Sequence, residues 1–204
     1  MIKKYVFLSF LCMPFISQAD DCLIYKLKPS VSINIPSWEK TVVQPLQPMD
    51  VLHGNVIATM VDNYEITTDI TSIEDGFCVS LKKVDAMVGY TDFLVQIDKS
   101  NKKNSCSYNA ILQHEDQHIR SYLSVIEDNK KLLKESIIVA AESVIPVFVH
   151  DQKEIESVVD NFNEQLQNHP DIILLKQHLK AEEEIRNKQV DLNDTGETLK
   201  KCFK

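Results

Sequence analysis

Residues 114 to 118 read His114-Glu115-Asp116-Gln117-His118, the H-E-x-x-H pattern. Two imidazoles four residues apart on a helix leave the same face about one turn apart, so both can reach a single tetrahedral ion. Glu115, one residue past the first imidazole, is rotated far enough to miss ligation yet stays close enough to take a proton from a metal-bound water. Zinc lowers the pKa of such a water to about 7, and a carboxylate beside it acts as general base while hydroxide attacks a carbonyl. The pattern predicts a Zn2+ site with His114 and His118 as metal ligands and Glu115 as the catalytic base. Tyr122, four residues beyond His118 and on the same face, either flanks the metal or packs at the helix interface.

Two histidines do not complete a catalytic zinc site, which takes three protein ligands and leaves a position for water. Glu142 lies 24 residues after His118. On one continuous helix it would be about 36 Å away along the axis, so it serves only if the chain reverses near Asp128-Asn129-Lys130. His150, His169 and His178 are further candidates, each read first as a surface histidine. Glu197 is the preferred third ligand, because the chain after Gly196 can fold back over the cleft and carboxylate oxygen is an accepted zinc donor. Asp194 and Asp191 are the nearest alternatives. Tyr64 and Tyr90 are candidate donors to a developing oxyanion, and Trp38 reads as a core or rim anchor.

The elements that must position these groups fall into two textures. Between Cys22 and Lys99 the chain favours strands: Leu23 to Tyr25, Val31 to Ile35, Val56 to Ala58, Tyr64 to Ile70, Phe77 to Leu81 and Phe93 to Ile97 carry β-branched residues in period-two alternation. Gly54, Gly76 and Gly89 stand where turns are wanted, and Pro36, Pro45 and Pro48 mark an irregular connection around Trp38. From Ser107, a candidate N-cap, Ile111, Leu112, Ile119, Leu123, Ile126 and Leu133 recur at helical spacing. A bend is expected at Asp128 to Lys130 and an end at Pro146. Asp151 with Glu154 forms a capping-box pattern opening another helix, and Pro170 with Asp171 opens a third, running through the solvated acidic face Glu182 to Glu184 to about Gln189. The expected architecture is α+β in a single domain over 20–204: a strand-rich part at 20–100, with a twisted, mainly antiparallel sheet, then a helical part at 107–204.

The 204 residues are 44% hydrophobic and 25% charged, with 4 Gly and 7 Pro. That composition excludes collagen-like, low-complexity and disordered classes. With Lys+Arg 22 against Asp+Glu 30, the formal charge of −8 argues against a nucleic-acid surface and against attachment to anionic lipid. Met1 to Lys4 is a basic leader, Tyr5 to Ile16 is apolar but too short to span a bilayer, and Ser17-Gln18-Ala19 supplies small residues for a signal peptidase. Residues 1–19 are therefore expected to be a signal peptide cleaved after Ala19, giving a secreted or periplasmic protein without stable membrane insertion. Cleavage would leave 185 residues with a charge of −10. Cys12 departs with the leader, and Cys22, Cys78, Cys106 and Cys202 remain. An even number of cysteines in an exported chain, with no Cys-x-x-Cys, predicts two disulfides. The preferred pairing joins Cys22 to Cys202 and Cys78 to Cys106.

The motif helix resembles those of zincin-type metallopeptidases. More narrowly, the chain is similar to a bacterial family of predicted secreted zinc proteases, catalogued as a domain of unknown function. The likeness runs in order of elements from about Thr67 to Glu197, and the motif helix is its specific part. It implies an exported β-rich N-terminal part, an active-site helix, further helices, and a closing Tyr-Asp-x-x-Thr-x-His-Gly motif. This chain has Gln189 to Glu197 there. With Thr195 on the family's Thr, Glu197 falls where the family has His; with Asp191 on its Asp, no ligand falls there. The expected function is an exported zinc-dependent peptidase acting on peptide or protein, with the substrate paired along a strand edge supplied by Phe93 to Ile97 or Tyr64 to Ile70. The alternative is a non-enzymatic exported binding protein on a degenerate metalloprotease fold.

Overall fold

A computed structural model describes residues 20–45, 54–194 and 200–202. The expected signal peptide at 1–19 lies outside the described residues. The described residues begin with a 3-10 helix at Asp20–Tyr25, where the sequence reading expects a strand at Leu23 to Tyr25. Strands β1 (Ser30–Asn34), β2 (Glu39–Val43), β3 (Gly54–Ile73) and β4 (Gly76–Ile97) follow. Helices α1 (Cys106–Asp128) and α2 (Lys130–Ser143), a short β5 (Val147–Val149), and helices α3 (Ile155–Gln167) and α4 (Pro170–Asn193) complete the order.

β4 is the axis of the sheet. β3 pairs along one edge from Gly54↔Ile97 to Ile73↔Gly76. Along the other edge β5, β1 and β2 lie end to end, opposite 77–79, 83–87 and 92–96 of β4. β3 and β5 run antiparallel to β4, whereas β1 and β2 run parallel to it, so the expectation of a mainly antiparallel sheet is corrected to a mixed one. The stretches read as four short strands, 56–58 with 64–70 and 77–81 with 93–97, are two long ones. Their breaks in alternation are β-bulges: the register slips between Thr59 and Met60 and between Thr67 and Thr68, each time leaving one extra residue on β4. A bulge bends and twists a strand without ending it.

The connection around Trp38 contains β2, which the prolines obscured. Between β1 and β2 the chain crosses over Gly89, whose φ of +154° and close approach to Pro36 (a Cβ would meet its Cδ at 2.8 Å) admit only glycine. Because Phe93 to Gln96 pairs on both sides, with β2 and with β3, and Ile97 pairs with Gly54, the segment read as a substrate edge is taken up within the sheet. Among the described residues β4 alone is paired on both sides; β3 on one flank, and β1, β2 and β5 on the other, each keep an edge without a strand partner.

The helices cover one face. Buried Val79, Leu81, Val84, Ala86, Val88, Phe93, Val95 and Ile97 of β4 meet Ile111, Ile119 and Val125 of α1, Leu133 and Ile137 of α2, Phe162 and Leu166 of α3, and Ile172, Leu175 and Leu179 of α4. Fully burying one such side chain contributes about 1.5–3 kcal/mol. α1 starts one residue before the expected cap: Ser105 accepts the Tyr108 N–H, and Ser107 lies inside the helix. The predicted bend is a break at Asn129, whose amide donates to Val125 O. Asp151 caps a 3-10 turn by accepting from Lys153 N before α3 begins.

The disulfides correct the expected pairing: Cys22 joins Cys78 and Cys106 joins Cys202, with Cα separations of 5.5 and 5.4 Å. The reason is the length of β4. Cys78 stands near its start and Cys106 follows its end, so up to about 60 Å of extended strand separates them. Cys22 instead lies beside the start of β4, where Ser80 Oγ donates to Tyr25 O at 2.9 Å. α1 and α4 are antiparallel, and the chain leaving α4 returns to the first residue of α1. Closing loops of this size contributes about 2–4 kcal/mol per bridge. No helix among the described residues is long and apolar enough to cross a membrane.

Candidate metal centre

α1 brings His114 and His118 to one face, with their ring centroids 4.8 Å apart and Nε2 atoms 3.1 Å apart. α4, packed antiparallel, sets Asp191 over them. Its Oδ1 is 3.1 Å from His118 Nε2 and 3.4 Å from His114 Nε2. These three separations have a direct physical reading. Ligands about 2.0–2.1 Å from a tetrahedral ion stand about 3.3 Å from one another, so the three atoms are spaced as one face of such a coordination shell. His114, His118 and Asp191 could hold a metal ion. An exposed carboxylate such as Asp191, whose side chain is 63% accessible, is ordinary by itself; its convergence with two imidazole nitrogens is what distinguishes it.

The far sides of both rings are also engaged. His118 Nδ1 lies 3.0 Å from Asn187 Oδ1, so the ring donates there and keeps its Nε2 lone pair for the cluster. Asn187 in turn hydrogen-bonds the Tyr122 hydroxyl. Asp194 Oδ2 stands 2.9 Å from His114 Nδ1, close enough for charge pairing although off the line of a hydrogen bond. The His118 bond is of the kind that characteristically fixes a ligating imidazole through its second nitrogen.

Glu115 points to the other side of the helix crest, toward the sheet. It is only 4% exposed and lies against Gly54, where a Cβ would come within 2.4 Å of Glu115 Oε1 and 2.5 Å of Ile111 Cγ2. Glycine at the first position of β3 is therefore what gives this carboxyl its room. A cavity of about 210 Å³ opens between Gly54, Asn55 and Val56 on β3, His114, Glu115, His118 and Tyr122 on α1, and Asn187 and Asp191 on α4. Burial pushes the Glu115 carboxyl up to about 7; His118 opposes that rise, and Asp191 and Asp116 reinforce it. A carboxyl poised near neutrality in a cleft is suited to exchange protons. Burial likewise raises the Tyr122 phenol, with Glu183 adding to the effect. Tyr122 lines the cavity and packs on Tyr90 and Phe93 of β4, at ring distances of 5.2 and 5.9 Å.

The other candidates are elsewhere. Glu197 lies outside the described residues. Glu142 pairs with Lys28 at 3.5 Å, His150 Nδ1 lies 3.3 Å from Asp75 O, His169 caps α4, and His178 is 3.3 Å from Asn129 Oδ1. Tyr90 is buried and donates to Glu183 at 2.6 Å, and Tyr64 is buried in the core cluster. Asn187 and Gly54 were missed. Asn187 precedes Asp191 by the same four residues that separate the histidines, a signal available once α4 is known to continue to Asn193. Compared with protein-family models, with curated proteins and with solved structures, the chain finds no match.

Proposed function

We propose that this chain is an exported zinc-dependent hydrolase, most simply a peptidase. The observation that carries the reading is the convergence of His114, His118 and Asp191 at tetrahedral spacing beside the buried Glu115 carboxyl in one open cleft. Two imidazoles and a carboxylate at that spacing favour zinc among common divalent ions. Zinc bound there would supply Lewis acidity, lowering the pKa of a water and polarising a carbonyl. Glu115 accepts the proton of the attacking water and returns it to the leaving amine. Asn187 holds His118 in register, Asp194 biases the orientation of His114, and Tyr122 donates its hydroxyl from the cleft wall.

The open edge of β3 passes the same cleft at Gly54 to Val56, so an extended substrate can pair with strand backbone there. That segment replaces the two expected from sequence. Tyr64 to Ile70 belongs to the same edge but lies farther along it. Two disulfides suit an oxidising compartment, in line with the leader at 1–19. The resemblance of the motif helix to those of zincin-type metallopeptidases fits this reading, and the Asp191 carboxylate serves as the third ligand.

Glu115→Gln is the decisive substitution. It should retain one zinc per chain by metal analysis and lower peptide hydrolysis about 10²- to 10⁴-fold. A variant as active as the parent sinks the assignment. A parent that binds zinc and cleaves nothing supports the non-enzymatic binding protein instead.

A further inference from the structure

The seam between β3 and α4 continues past the metal ligands. Cross-strand neighbours share a face, and Val56, Ala58, Met60 and Asp62 stand opposite Val95, Phe93, Tyr90 and Val88, all buried under the helices. Val56 to Asp62 thus forms one row on the helix side of β3. α4 runs beside it in the opposite sense, from Asp191 and Asn187 to Glu183, Lys180 and Lys176. Lys176 pairs with Asp62 across the seam.

A second cavity, about 330 Å³, opens in this seam between Met60, Asp62, Lys176, Leu179, Lys180 and Glu183. Its acids are already engaged: Asp62 by Lys176, and Glu183 by the Tyr90 hydroxyl. What remains for a ligand is the carbon surface of Met60 and Leu179 together with Lys180. Met60 is 40% exposed, although Val56, Ala58 and Ile66 in the same row pack against the core. The strand is apolar here and the helix leaves it uncovered.

We infer that this cavity is the specificity pocket of the metal-bearing cleft, accepting an apolar side chain of an extended peptide substrate. The inference rests on the peptidase reading. Val56 and Met60 are four strand residues apart, about 13 Å. A peptide paired with the β3 edge advances at the same rate, and its side chains alternate with the same period. The residue seated over Met60 is therefore about four positions from the one beside the metal ligands, on the same face. Lys180 in the lining disfavours lysine or arginine at that position.

The test uses a decapeptide library randomised at every position, with cleavage sites read by mass spectrometry. In parallel, fluorescein-labelled members are titrated onto zinc-loaded Glu115→Gln protein. The parent should enrich Leu, Met or Phe over Ser and Lys by about tenfold at one position three to five residues from the cut. Met60→Trp, which fills the cavity, and Met60→Ser, which strips its floor, should each erase that preference while zinc content and melting temperature certify the fold. Cleavage without such a preference, or a preference unchanged in both variants, overturns the pocket and leaves the peptidase reading standing. Apolar-dependent binding by the Glu115→Gln protein without any cleavage by the parent overturns the peptidase reading and keeps the pocket. Neither cleavage nor binding overturns both.

Discussion

The interface between α1 and α4 carries two polar clusters, and they solve the same electrostatic problem in opposite ways. Toward the start of α1, His114, His118 and Asp191 turn Nε2, Nε2 and Oδ1 to one point, with Asn187 behind His118. Two turns farther on, Asp128, Asn129, His178 and Glu182 gather around Arg186. The guanidinium donates to Asp128 Oδ2 and Ser124 Oγ, both at 2.7 Å, and to Glu182. Asn129 completes the set by donating to Glu182 at 2.6 Å and to Val125 O at 2.9 Å. Both clusters use side chains one turn apart on antiparallel helices. The second contains its own cation, and each acceptor faces a donor. The first has no Lys or Arg facing its acceptors among the described residues, so a cation from outside is what would satisfy it. A polar cluster that closes on its own cation reads as architecture, and one that converges without Lys or Arg reads as a site.

The strongest way to break this contrast is to remove one member from each cluster. Asp191→Ala should lower zinc affinity at least about a hundredfold, beyond the loss typical of an outer partner. Its melting temperature without metal should stay near that of the parent, because the Asp191 side chain is largely exposed. Arg186→Met should do the reverse, leaving zinc affinity within a few-fold and lowering stability by about 1 kcal/mol, since its ion pairs are partly open to solvent. Competition titration with a chromogenic chelator and thermal unfolding in EDTA measure both. If Arg186→Met strips the metal as thoroughly as Asp191→Ala, the clusters are one unit and the distinction fails.

A smaller effect tests whether the outer partners matter. Asn187→Leu keeps the volume of the side chain on α4 but removes the acceptor facing His118 Nδ1 and the link to Tyr122. Zinc affinity should fall about ten- to hundredfold, less than for Asp191→Ala, with zinc still bound at millimolar protein concentration. An unchanged affinity would mean that His118 is oriented by packing alone.

How much of this was legible beforehand follows from the range of each interaction. His114, Glu115 and His118 are local: a helix of period 3.6 converts their spacing into geometry without knowledge of the fold. Asp191 was one acid among several because its role is tertiary. The expected end of α4 near Gln189 separated it from Asn187, whereas the helix reaches Asn193 and puts the two one turn apart. The long hairpin was legible as strands but not as two strands, because a bulge interrupts alternation in the same way as a strand end does. β2, between Pro36 and Pro45, has three exposed residues of five and offered little apolar pattern. The disulfide pairing depends on the length of β4, which sets Cys78 far from Cys106 and is not written in any local pattern.

The smallest expected effect separates holding a metal from moving a proton. Gly54 was read as a turn glycine; in the fold it lies at the start of β3 with Glu115 Oε1 and Ile111 Cγ2 filling the space of a side chain. Glu115 Oε1 is the end of a flexible side chain, but Ile111 Cγ2 is the branch methyl of a buried residue held near one χ1 well in a helix, so Gly54→Ala should fold with a stability loss of about 1–3 kcal/mol. The added methyl pushes the Glu115 carboxyl out of its recess without touching His114, His118 or Asp191. Zinc affinity should then equal that of the parent, while kcat for peptide hydrolysis drops severalfold to about a hundredfold, because a general base acts only within hydrogen-bond reach of its proton. Applied to the Glu115→Gln protein, the same glycine substitution should cost nothing further in rate. A second full loss in that double variant would mean that Gly54 supports the cleft through the backbone of β3 rather than through the room it leaves for Glu115.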